Sequence, residues 1–191
     1  ILDSVIPHEV NHTIFASYFR RPLPRWADEG AATLAEHESE RMRQTRLLNQ
    51  VIKTTRRIPL NELLAMREYP KDMHQVLTLY AEGYSLADYL VGQKGEEGRS
   101  IYLQFLEDAH HHGWEKAIKA HYGNTSVKDL ETKWHGWIMA GSPSFKLPKD
   151  QLYATKERET VTPSKPLVPD NGFEYRGQSP KGSSVLPRKS P

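Results

Sequence analysis

Apolar residues in this chain recur at three- and four-residue intervals, and strand-like alternation is scarce. That pattern confines residues 1–140 to a mainly α-helical domain. Val5, Ile6, Val10, Ile14, Phe15 and Phe19 make the first apolar stripe and predict a buried helix. Its N-cap is Ser4 or Asp3, which places Pro7 in the first turn, where a missing N–H costs no intrahelical bond. Arg20-Arg21-Pro22-Leu23-Pro24 breaks this helix, and the residues from Pro24 to Ala32 open another. Met42, Leu47, Leu48, Val51 and Ile52 give the polar 41–57 region mixed helical spacing, and 59–64 reads as a short helix after a break. Further helices are expected at about 75–91, closed by Gly92, and at 99–109, 114–122 and 126–139. The last starts with Ser126 as cap and presents Leu130, Trp134 and Trp137.

Near the start stands His8-Glu9-Val10-Asn11-His12, an H-E-x-x-H spacing. On a helix of 3.6 residues per turn, positions i and i+4 share a face, so both imidazoles can reach one zinc ion. Glu9 is too close to its neighbour to share the metal easily. It is placed instead to address a water on the metal, the general-base position of a zinc protease.

Catalytic zinc takes three protein ligands and keeps one position open. The third ligand is expected downstream, on an element that returns to the first helix. Glu29, in Trp26-Ala27-Asp28-Glu29-Gly30-Ala31-Ala32, is our choice, because Gly30, Ala31 and Ala32 let two helices approach closely. The competing reading puts Glu29 on a solvated helix face, as for Glu36, Glu38 and Glu40.

Taken together, His8-Glu9-x-x-His12, a proline-bearing turn and Pro24-Arg25-Trp26-x-x-Glu29-Gly30 resemble the gluzincin metallopeptidases, the group that includes thermolysin and the zinc aminopeptidases. The resemblance implies the helical part of a zincin-like (thermolysin-like) domain, with His8, His12 and Glu29 as Zn2+ ligands and Glu9 as base. Four residues after Glu29 stands Thr33 rather than the aspartate of the thermolysin pattern. Asp28 and Thr33 are the candidates for the group that orients a histidine. A tyrosine on a later helix often stabilises the oxyanion in gluzincin-like chains, and Tyr80-Ala81-Glu82-Gly83-Tyr84-Ser85-Leu86 is similar to that region. Tyr80 ranks ahead of Tyr84; the rival reading has both packing a helix with their hydroxyls at its rim. The family normally places a small β-sheet before the motif helix, its edge strand holding extended substrate. The chain opens on Ile1, so it is expected to be N-terminally truncated, with any targeting segment lost and an extracytoplasmic or secreted location left open.

With 191 residues there is room for one real core. The net charge of +2, with Lys and Arg dispersed, gives no ground to expect a nucleic-acid partner, and the lack of cysteine excludes disulfides, thiolate ligands and a cysteine nucleophile. No apolar run reaches membrane-spanning length. Eight of the 13 prolines fall in residues 141–191, among Ser, Lys and Gly, so that segment is expected to be a linker or disordered tail. Phe145, Leu152, Tyr153, Phe173 and Tyr175 are its candidate docking points. His110-His111-His112 point three ways on a helix and stand before Gly113, which suits a helix C-terminus better than a second metal.

The expectation is therefore a zinc-dependent peptidase acting on a peptide or protein substrate. Its rivals are an inactive zinc-binding domain that holds a peptide, and a helical scaffold that never binds metal.

Overall fold

The computed structural model describes residues 2–143. The chain divides into two units, Ile1–Lys149 and Asp150–Pro191, and every described residue belongs to the first. The expected tail at 141–191, with its five candidate docking residues, thus lies almost wholly outside the described residues. Among those described there is no strand. The elements are α1 (Leu2–Phe19), α2 (Arg25–Leu34), α3 (Glu38–Val51), α4 (Leu60–Ala65), α5 (Met73–Gly92), a 3-10 turn (Gly95–Glu97), α6 (Gly98–His112), α7 (Trp114–Tyr122) and α8 (Val127–Met139). The mainly α-helical expectation holds, and among the described residues no helix is long and apolar enough to cross a membrane.

Local chemistry accounts for several boundaries. Asp72 accepts from the His74 N–H at the start of α5, and Ser126 accepts from the Asp129 N–H at the start of α8. Gly113 and Gly123 end α6 and α7 with φ of 83° and 68°, a backbone region that suits glycine. The histidine run therefore closes α6, as its sequence position suggested.

Helix α5 is the hub, packed against α2, α3, α6 and α8, while α1 lies on α2. At the α2–α5 crossing, a Cβ on Gly30 would stand 2.3 Å from the Gly83 carbonyl oxygen. One on Gly83 would stand 2.9 Å from the Trp26 carbonyl oxygen. The small residues beside Glu29 do permit a close approach, but the helix they admit most closely is α5, not α1. Around this crossing Trp26, Leu48, Leu63, Leu79, Leu90, Phe105, Ile118 and Trp134 form the core. Two buried polar groups are satisfied across it: Trp134 Nε1 donates to Ser85 Oγ at 3.1 Å, and the Tyr102 hydroxyl to the Ala27 carbonyl at 3.2 Å.

Helix α1 departs from the expectation in two ways. It begins at Leu2, so Ser4 and Asp3 lie within it and Pro7 is interior rather than in the first turn. The Ser4 hydroxyl accepts from the His37 N–H at 3.4 Å instead of capping. The helix is also not buried along its apolar stripe. Phe15 and Phe19 enter the core, whereas Val5, Ile6, Val10 and Ile14 face solvent with Leu2 and Tyr18. The face turned toward α2 is the one that carries His8 and His12.

Candidate metal centre

Helix α1 supplies the two imidazoles one turn apart, with ring centroids 4.7 Å from each other and planes at 77° in a T-shaped arrangement. Helix α2 supplies Glu29 one turn into its length, held by the close packing of Gly30 on α5. One nitrogen of each histidine and one carboxylate oxygen lie within 4.8 Å of one another, the only such group of three among the described residues. Glu29 Oε2 is 3.4 Å from His8 Nε2 and 3.7 Å from His12 Nε2. Bonds of about 2.0–2.1 Å to a tetrahedral ion separate ligand atoms by about 3.3–3.5 Å. The His8 separation meets that measure, and the His12 separation exceeds it by a few tenths of an ångström.

The rest of each side chain is accounted for. His8 Nδ1 donates to Glu36 Oε1 at 2.8 Å, and His12 Nδ1 donates to Asp28 Oδ1 at 2.8 Å. Carboxylates only accept, so each Nδ1 carries a proton, and each Nε2 is the nitrogen turned toward Glu29. Glu29 is 2% exposed; its Oε1 accepts from the Tyr69 hydroxyl, while Oε2 is buried without a hydrogen-bond donor. A buried carboxylate oxygen left unpaired is costly unless something positive meets it.

The electrostatics follow from this enclosure. The Glu29 carboxylate, with Glu36 behind it, pushes the His8 imidazole up to about 9 against the opposing effect of burial. Burial pushes the Glu29 carboxyl up, but the neighbouring His8 and the Tyr69 hydroxyl outweigh it and hold the group below its ordinary value.

The structure brings His8, His12 and Glu29 together as the sequence suggested. Glu9 is exposed on the flank of α1 beside the two histidines, its carbonyl accepting from Thr13 Oγ1 at 3.1 Å. Tyr80 reaches the site through Tyr69, their rings stacked at 6.5 Å and 8°. Burial and then the Glu29 charge push the Tyr80 hydroxyl well above its ordinary value. Tyr84, one turn on, is buried among Asp88, Arg41 and Thr45 and does not join the cluster. Of the two candidate orienting groups, Asp28 takes the role; Thr33 is buried with its hydroxyl unpaired.

Two members of the cluster go beyond the sequence reading. Glu36, expected on a solvated face, is the partner of His8; it follows Glu29 by seven residues, two turns of a helix, and that spacing was the available signal. Tyr69 arrives on the loop between α4 and α5, where no periodicity marks a residue. Four of the other histidines have separate partners: His37 Nδ1 accepts from the Ser39 N–H, His111 pairs with Glu107, His121 with Asp108, and His135 meets Arg57. Comparison with family models, with curated proteins and with solved structures returned no match for this chain.

Proposed function

We propose that this chain is a zinc-dependent metallopeptidase of gluzincin type, its described helices forming the helical part of a zincin-like domain. The observation that carries the reading is the buried, donorless Oε2 of Glu29 facing two Nε2 atoms whose Nδ1 atoms are each tied to a carboxylate. His8, His12 and Glu29 would hold the ion. Bound there, zinc would polarise a scissile carbonyl and bring the pKa of water to about 7.

The chain's own residues divide the remaining work. Glu9, exposed beside the histidines, takes the proton of the attacking water and returns it to the leaving amine. Asp28 and Glu36 hold the histidines in one tautomer and orientation. Tyr80, stacked on Tyr69, is the donor assigned to the developing oxyanion in this reading. Tyr84, turned toward Asp88 and Arg41, has no part in this scheme.

Elemental analysis of the purified protein beside its Glu29→Ala variant tests the site. One zinc per chain in the parent, sharply reduced in the variant, is the expected result; no zinc after reconstitution would end this reading. Turnover is then tested with quenched fluorescent peptides, where Glu9→Gln should abolish hydrolysis and leave zinc in place.

A second reading has an observation of its own. His8 with Glu29 and Glu36, and His12 with Asp28, form a charge network in which both histidines already have carboxylate partners. A helical scaffold could keep such a network for stability alone, in which case His8→Ala would lower the melting temperature and change no metal content. Zinc without hydrolysis of any peptide would favour the inactive binding domain.

A further inference from the structure

Tyr69 belongs to neither helix that supplies a ligand. It is delivered by the 66–72 loop between α4 and α5, and that loop is gripped by one residue of α2. The Arg25 N–H donates to the Met66 carbonyl at 2.8 Å, and Arg25 Nε donates to the Arg67 carbonyl at 3.1 Å. The same guanidinium lies 4.4 Å from the centroid of the Tyr69 ring. Arg25 precedes Glu29 by four residues, so the grip and the ligand stand on one face of α2, a turn apart. From this hold the Tyr69 hydroxyl reaches Glu29 Oε1, and Oε2 alone is turned to the histidines.

We propose that Tyr69 is a positioning residue of the metal centre, holding Oε1 of Glu29 so that the carboxylate meets the metal through Oε2 only, with Arg25 fixing Tyr69 in place. This rests on the reading of His8, His12 and Glu29 as metal ligands. Carboxylates bind cations through one oxygen or through two. A second oxygen from Glu29 would take the position that a catalytic zinc keeps open. The Tyr69 hydrogen bond engages that oxygen and keeps the position free.

Titration of the full chain with cobalt(II), followed by visible absorption, tests the assignment without a substrate. The parent should bind one ion and show the intense bands of four-coordinate cobalt. In Tyr69→Phe the affinity should fall by about 10–100-fold, the range for loss of a partner that orients a ligand. The bands should also weaken as the freed oxygen raises the coordination number. Tyr69 is 41% exposed and Phe keeps its ring, so the variant removes the hydroxyl without opening the core. Arg25→Gln, which loses the guanidinium over the ring, should shift both readouts in the same direction by less. Parent-like affinity and bands in Tyr69→Phe would overturn the positioning role while leaving the three-ligand site intact. A parent that takes up neither cobalt nor zinc would overturn both.

Discussion

Helices α1 and α5 carry apolar residues at the same helical spacing, yet α5 is enclosed and α1 is half open. In α5, Leu79, Leu86 and Leu90 are fully buried between α2, α3, α6 and α8. In α1, Ile6, Val10 and Ile14 are about half exposed, and only Phe15 and Phe19 reach the core. Their acids differ in the same way: Glu9 faces solvent, whereas Glu82 is sealed inside. The pattern of a helix defines a face, and its neighbours decide what that face meets. The candidate metal centre lies where the two regimes join, with His8 and His12 on the open helix and Glu29 on the helix packed into α5.

The largest effects should come from the enclosed side. Leu79→Ala should cost about 2–5 kcal/mol in urea unfolding, since a fully buried leucine leaves a cavity among close-packed helices. Gly30→Ala should follow at about 3 kcal/mol, because its Cβ would meet backbone atoms of Gly83 that cannot rotate aside. A loss below about 0.5 kcal/mol for either, the size of an ordinary surface change, would mean that α5 is not the hub described.

Glu82 sharpens the contrast through pH. Burial pushes its carboxyl up to about 8, opposed by the Ile58 N–H and Arg57 and reinforced by Glu131. A carboxyl whose folded pKa is raised contributes stability that is complete below its ordinary value near 4.5 and is lost as pH climbs to about 8. Glu82→Gln keeps an acceptor for the Ile58 N–H and cannot ionise. It should gain on the order of 2 kcal/mol over the parent at about pH 8 and flatten the slope of stability between about pH 5 and that point. An unchanged slope would show that Glu82 is not the group responsible.

At the junction of the two regimes, Asp28→Asn and Glu36→Gln should each weaken zinc binding roughly tenfold, measured by competition with a chromophoric chelator. Equal effects would show that both histidines depend on a carboxylate. No effect from Glu36→Gln would reduce it to a neighbour of His8.

Much of this arrangement is legible in the sequence, and for a physical reason. The i, i+4 histidines and the glutamate amid small residues are local patterns, and the helices follow from spacing, caps and glycines such as Ser126 and Gly113. What escapes depends on tertiary placement. Tyr69 lies in a loop whose course is set by Arg25, a residue distant in sequence that meets the loop only once the chain has folded. Spacing alone groups Glu36 with Glu38 and Glu40, because it does not reveal that α1 lies across it. Apolarity predicts burial for the stripe of α1, but burial also needs a covering partner, which most of that stripe lacks among the described residues. Gly30 is legible as a point of close approach, but not as an approach to α5.

The smallest expected effect tests the openness of α1 itself. Ile14 is 56% exposed, so Ile14→Ala removes little that folding had taken from water, and its cost should stay within about 0.5 kcal/mol. The same truncation at Leu79 costs several times more, although both residues are aliphatic and helical. A cost above about 1 kcal/mol for Ile14→Ala would show that the ridge is covered in solution. Repeating the unfolding at tenfold different protein concentrations would then identify a second copy as the cover if the cost grew with concentration. A cost independent of concentration would place the cover within the same chain, and a cost near zero would leave α1 as the open side of the site.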